Sequence, residues 1–209
     1  MAYRQTPAVQ ARLEDTRRRI LKAARSLISE GGWQQAQVAS VAAVAGIATG
    51  TVYRYFASKA ELFAEVLSLV SQREVDVIKA ISSSDGSAQA RLHAAVATFV
   101  KRALRNPRLA YALIAEPCDP EIDAARLTYR AALSEAIRQI ITHGQDNGEF
   151  HPDIQPDIAA SVIVGGFMEG LIGPLSPLNR QQHHAAHHPH SEIEQIATQA
   201  CRSVSIQAA

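Results

Sequence analysis

Cysteine is nearly absent. Cys118 and Cys201 are the only two in 209 residues, far apart and without a C-x-x-C spacing. That excludes a dense disulfide framework and points to a reducing compartment. Aromatic residues are also sparse, with one Trp, five Tyr and five Phe. No G-x-S-x-G, H-E-x-x-H, P-loop or dinucleotide fingerprint occurs, so the expectation is a protein that is not an enzyme and carries no cofactor. The opening "MAYRQTPAVQARLEDT" has no apolar core of the secretory kind. The longest apolar run, Ile158 to Leu175, is interrupted by Glu169 and Pro174, which argues against a membrane span. A soluble, cytoplasmic protein is expected.

The net charge is only +1, but its distribution is uneven. Residues 1–60 carry nine Lys/Arg against three acids, a net of +6, and the remaining 149 carry twelve against seventeen, a net of −5. A basic head that meets a polyanion and a body that does not would produce this asymmetry. A solvated charged face is the plainer alternative.

Helical spacing dominates, and no run sustains strand alternation. Ile20, Ala24, Leu27 and Ile28 form an apolar stripe, with Arg18, Lys22 and Arg25 on another side and Gly31-Gly32 as the stop. Val38, Val41, Ala42, Val44 and Ala45 precede Gly46. Ser58 with Glu61 reads as a capping box opening a long helix. Asn106-Pro107 and Asp119-Pro120 read as cap-then-proline starts, and the last helix carries Ile193, Ile196, Ala197, Ala200 and Val204. The segment from 157 to 173 is apolar on nearly every face and should be buried on several sides. About nine helices and an all-α fold are expected. Residues 1–58 would form a three-helix domain and 59–209 a six-helix domain.

The stretch "GIATGTVYRYFASKAEL" crowds Tyr53, Tyr55 and Phe56 around Arg54, with Lys59 just beyond. Two short helices joined at a glycine are what a helix-turn-helix needs. Ala42, Val44 and Ala45 would supply the buried face, Gly46 the turn, and Ile47 and Val52 the plug between the helices. Residues 17–67, "RRRILKAARSLISEGGWQQAQVASVAAVAGIATGTVYRYFASKAELFAEVL", resemble the DNA-binding region of TetR/AcrR-type repressors. The resemblance implies that Thr49, Gly50, Tyr53 and Arg54 approach bases. It implies that Thr51, Tyr55 and Lys59 hold phosphates of a double-stranded operator, while Phe56 turns inward. The family usually has Ser or Thr where Gln37 and Ala48 stand here. Gln37 would therefore cap its helix poorly, Ala48 cannot cap at all, and Thr49 is the candidate to cap instead.

The resemblance further implies that residues 1–58 are a helix-turn-helix DNA-binding domain and that 59–209 are a ligand-binding and dimerisation domain. It implies a small-molecule sensor in a homodimer paired through the last two long helices. Gly165, Gly166 and Gly170 fit a close helix–helix approach, between subunits or within one core. Phe99, Tyr111, Tyr129, Phe167 and Met168 lie on apolar stripes of different helices, and together suggest a mostly apolar effector cavity with phenolic hydroxyls. His93 and Cys118 are weaker polar candidates. In "HHAAHHPH", His183 with His187 and His184 with His188 have metal-sharing i, i+4 spacing, but no Cys or carboxylate completes a set. A mobile loop is the preferred reading there, with no metal site. The functional expectation is a repressor released from a palindromic operator by a small apolar ligand. The alternative is a metal-responsive repressor sensing through His183–His190.

Overall fold

The computed structural model describes residues 6–178 and 189–205, and among these residues the chain is all-α, with nine helices and one isolated antiparallel bridge, Phe150 to Ser205. The helices are α1 (Pro7–Gln35), α2 (Val38–Ala45), α3 (Thr49–Val52), α4 (Lys59–Ser82) and α5 (Ala88–Arg105). They continue as α6 (Pro107–Ile114), α7 (Pro120–Asp146), α8 (Pro156–Leu175) and α9 (Pro189–Arg202). The run of histidines at 183–188 lies outside the described residues.

Most boundaries follow from local chemistry. Ser58 accepts from the Glu61 amide at 3.0 Å, and the Glu61 carboxylate accepts in return from the Ala57 amide, so the capping box closes one residue ahead of the N-cap. Asn106 accepts from the Leu109 amide at 3.2 Å, starting α6 as expected. Asp119 differs, because its side chain makes no capping bond and Pro120 alone sets the start of α7. Gly32 interrupts α1 with φ 73°, a left-handed geometry, and a Cβ there would collide with the Arg108 guanidinium.

Two hydrophobic cores result. One joins Ile20, Ala24, Ile28 and Trp33 of α1 to α2, Val52, Phe56 and the α4 residues Leu62, Phe63, Val66 and Leu67. It also takes in Leu109 and Ala112 of α6 and Ile122 of α7. The second is built from Val75 and Ile78 of α4 together with α5, α7, α8 and α9. α4 therefore runs through both, as do α6, which adds Ile114 to the second core, and α7.

Polar bonds fasten the seam between α1 and α6. The Trp33 indole donates to the Ala112 carbonyl at 2.8 Å, and Arg108 donates to the Gly31 carbonyl at 2.8 Å. Arg108 also grips Glu116 at 2.7 and 3.0 Å, and Glu116 accepts from the Trp33 amide at 3.3 Å.

α8 is buried on one side only. Ala160, Ile163, Val164, Phe167, Met168, Leu171 and Leu175 are covered, whereas Ile158 and Val162 are 60% and 63% exposed. By length and composition α8 could cross a membrane, a test that a soluble core helix also passes. Its buried face packs against α6, α7 and α9.

Candidate functional site

The turn between α2 and α3 is the first element to place. Gly46 is left-handed at φ 66°, ψ 40°, and the Ile47 amide reaches back to the Ala42 carbonyl at 3.0 Å. This is the Schellman closure that glycine permits. Arg19 donates to the Ala45 carbonyl at 2.5 Å and so ties the end of α2 to α1. Ala42 and Ala45 are buried against the neighbouring helices, but Val44 is 59% exposed. Val44 does not belong to the buried face, because α2 is only two turns long and Val41 takes the inward position.

α3 is a single turn, and it sorts its side chains by face. At about 100° per residue, Thr49, Gly50, Tyr53 and Arg54 occupy one arc and Val52 lies outside it, while Phe56 follows the turn that ends the helix. Burial agrees: Val52 and Phe56 are each 1% exposed, whereas the first four are exposed. Tyr55 and Thr51 are half-buried between the two faces, with Tyr55 packed against the first core. The aromatic crowding is thus divided between the core (Phe56), the rim (Tyr55) and solvent (Tyr53).

Ala48 is the N-cap and offers no side-chain bond; Thr49 does not replace it, because it is already the first helical residue. Its hydroxyl stays on the exposed face. Gln37 likewise makes no capping bond to α2 and donates to the Gln34 carbonyl instead. Lys59 is the first residue of α4, with Nζ 3.5 Å from the Gln37 side-chain oxygen and 5.5 Å from the Phe63 ring centre. The ammonium is thus held beside the positive end of a helix, an arrangement suited to a phosphate.

The basic character of the head is partly used internally. Arg17 forms a bidentate pair with Glu65 and lies 4.7 Å from the Phe56 ring centre, and Arg19 is committed to α2. Arg18, Lys22, Arg25 and Arg54 remain on the surface.

The body contains a partly open cavity of about 80 Å³, walled by α4, α5, α6 and α7. Of the five residues expected around an effector, Phe99 and Tyr129 line it. Phe167 stacks behind Phe99 at 4.7 Å between ring centres, and Met168 is core on the same helix. Tyr111 sits beneath Arg108, 6.0 Å from ring centre to guanidinium carbon. These three carry apolar stripes but point at neighbouring helices rather than at the void. His93 pairs with Glu194 at 3.2 Å, and Cys118 lies 3.5 Å from Asp123, both away from the cavity. Burial pushes both the Cys118 and Cys201 thiols up to about 11.

Polar lining residues escaped the sequence reading. Ser71, Glu74 and Arg102 face the cavity, with Glu74 and Arg102 bonded to each other at 2.5 and 2.8 Å. The available signal was positional, since Ser71 and Glu74 continue the inward register of Leu67 and Ile78. Among the described residues no cluster of three or more His, Cys, Asp or Glu is arranged to hold a metal.

With a reading turn and a cavity on one chain, comparison with known proteins is decisive. Residues 20–66 match the model described as bacterial regulatory proteins, tetR family, and residues 83–186 match the tetracyclin repressor-like C-terminal domain. The chain belongs to the TetR family. Among TetR-family relatives it is 26% identical over 160 residues to the HTH-type transcriptional regulator UidR of Escherichia coli K12, covering 75% of this chain and 80% of UidR. It is 33% identical over 99 residues to the HTH-type transcriptional repressor KstR of Mycolicibacterium smegmatis, covering 47% of this chain and 48% of KstR. The fold is shared with the transcriptional regulator FadR of Bacillus subtilis, solved in complex with stearoyl-CoA. That match has a TM-score of 0.72, 19% identity, and coverage of 88% and 95%. The chain is accordingly a DNA-binding transcriptional regulator of the TetR family, and its named relatives are regulators rather than enzymes.

Proposed function

We propose that this protein is a cytoplasmic, homodimeric repressor that leaves a palindromic or near-palindromic operator when a small, mostly apolar molecule enters the α4–α7 cavity. In this reading residues 1–58 form the DNA-binding domain and 59–209 the ligand-binding and dimerisation domain. Thr49, Gly50, Tyr53 and Arg54 approach base edges, and Thr51, Tyr55 and Lys59 hold phosphates.

One observation carries the reading. α4 places Leu62 to Leu67 in the head core and Val75 and Ile78 in the body core, and lends Val70, Ser71 and Glu74 to the cavity wall between them. An occupant that displaces this wall tilts the helix bearing Lys59 and, through the shared core, α3. Preferential binding to the tilted geometry then weakens DNA binding without any contact between ligand and DNA.

The dimer is supported by the uncovered side of α8. Ile158 and Val162 are exposed there, and a Cβ at Gly165 or Gly166 would meet nothing within 4 Å. Gly170 instead faces Ile196 of α9 at 3.7 Å. Only one of the three helix-weakening glycines thus lies against a neighbouring helix of its own chain, and a partner helix is the natural neighbour of the other two.

Selection of bound DNA from a random pool tests this directly. A two-fold dimer should return an inverted repeat. An asymmetric consensus, or none, refutes the dimeric-repressor reading. The metal-responsive alternative is separated by replacing His183, His184, His187, His188 and His190 with Ala: that variant should still be released by an organic ligand.

A further inference from the structure

The cavity wall is apolar along most of its length, and its exceptions are Ser71, Glu74, Arg102, Asn106 and Tyr129, of which Asn106 is already bonded to the Leu109 amide and the Ser29 hydroxyl. Ser71 is 4% exposed, and its hydroxyl oxygen has no hydrogen-bond partner. A helical serine ordinarily returns its hydroxyl to a carbonyl one turn back. Others in α4 do so: Ser68 donates to the Ala64 carbonyl at 2.9 Å and Ser82 to the Lys79 carbonyl at 2.8 Å. Ser71 alone is left facing a void, and buried polar groups without partners call for an explanation.

The charges beside it are already closed. Arg102 and Glu74 form a two-point pair at 2.5 and 2.8 Å, so each neutralises the other. An entering anion would have to break that pair or face Glu74, and an entering cation would face Arg102. Burial, reinforced by the Glu74 carboxylate, holds the Tyr129 phenol protonated far above its usual range. It is a neutral hydrogen-bonding group at any physiological pH.

We propose that the cavity takes a compact, uncharged organic molecule bearing one hydrogen-bonding oxygen on an apolar body. Its oxygen meets the hydroxyls of Ser71 and Tyr129, and its body lies against Phe99, Leu113 and Ile114. The proposal rests on the reading of this cavity as the effector site. The volume of about 80 Å³ limits the occupant, since an engineered apolar cavity that holds benzene measures about 150 Å³. A ring-sized molecule must move the walls, one of which is α4, or extend through the cavity's open side.

The test uses the full-length protein and three probes of similar size: phenol, toluene and benzoate. Calorimetric titration should show phenol binding about tenfold or more tightly than either of the others, because a site built for a hydroxyl discriminates against analogues lacking it or carrying charge. Ser71→Ala should weaken phenol about fivefold and leave toluene unchanged. Glu74→Gln uncovers the Arg102 charge and should reverse the order of phenol and benzoate. Equal binding of phenol and toluene, tighter binding of benzoate to the unaltered protein, or no binding of any probe at millimolar concentration overturns the proposal. Release of selected DNA is measured alongside. Phenol that binds through Ser71 without releasing DNA refutes the effector reading and leaves the cavity chemistry standing. Release by toluene and benzoate as readily as by phenol, unaffected by Ser71→Ala, does the reverse.

Discussion

Replacing Gly50 by alanine should stabilise the protein and damage its binding to DNA, two effects that ordinarily run together. Gly50 is the second residue of α3, and a Cβ built there meets nothing within 4 Å. Nothing in the free protein therefore resists the methyl group. Glycine within a helix costs roughly 0.5–1 kcal/mol against alanine, and in a single exposed turn the lower figure applies. A gain of about 0.5 kcal/mol should raise the melting temperature of a chain this size by about 1–2 °C. On DNA the same methyl stands on the face shared with Thr49, Tyr53 and Arg54, where the backbone would approach the groove. Loss of that approach is expected to weaken binding about tenfold, or about 1.4 kcal/mol. Thermal denaturation followed by circular dichroism gives the first quantity, and anisotropy titration with the selected operator the second. Gly46→Ala is the control. It forces a side chain into the left-handed region and brings a Cβ to 3.3 Å from Arg19 Nη2, so it should cost about 1–2 kcal/mol of stability. Undiminished affinity in Gly50→Ala would remove Gly50 from the interface, and a lowered melting temperature would show that the position is not open.

Lys59→Ala should weaken binding to all DNA sequences and flatten the salt dependence by about 0.9 per protomer, hence by nearly 2 for a dimer, in titrations from low to high salt. Glu116→Ala leaves Arg108 without its carboxylate at a largely buried seam and should cost about 3 kcal/mol, read as a lower midpoint in urea denaturation. Gly166→Leu with Val162→Asp on α8 should yield a monomer by sedimentation, with specific DNA affinity lost and helicity retained. With both thiols raised to about 11, at pH 8 only about one in a thousand is ionised. Cys118 and Cys201 should therefore react with iodoacetamide far more slowly than a free cysteine, and accelerate tenfold per pH unit up to about 10.

Features built from contiguous residues were the legible ones. The capping box at Ser58 and Glu61, the left-handed turn at Gly46 and the proline starts of α6 and α7 each depend on a few neighbours, so they could be read from order alone. The face of α3 could be read for the same reason. Val44 was misassigned because an alanine- and valine-rich turn offers several equivalent apolar faces, and only packing chooses among them. The cavity was harder still. Tyr111, Phe167 and Met168 obey the same spacing as Phe99 and Tyr129, and nothing local distinguishes a side chain that borders a void from one that fills it. Ser71, Glu74 and Arg102 interrupt apolar stripes at inward positions, and apolar spacing alone does not single out such residues, although those are the positions where polarity is informative.

The head core has a consequence for anyone wishing to transplant this reading module. Leu109, Ala112 and Ile122 come from the far side of the chain, yet they close the same core as Ile20 and Phe63. A fragment ending at residue 58 would leave the apolar faces of α1 and α2 open to water. A chimera joining this head to another sensor would have to carry the first half of α4, α6, the Arg108–Glu116 clasp and the first turn of α7 along with it, or rebuild the facing surface. The unit that can be exchanged without loss is thus discontinuous in sequence, and recombination at a single crossover near residue 58 should yield mostly unfolded hybrids.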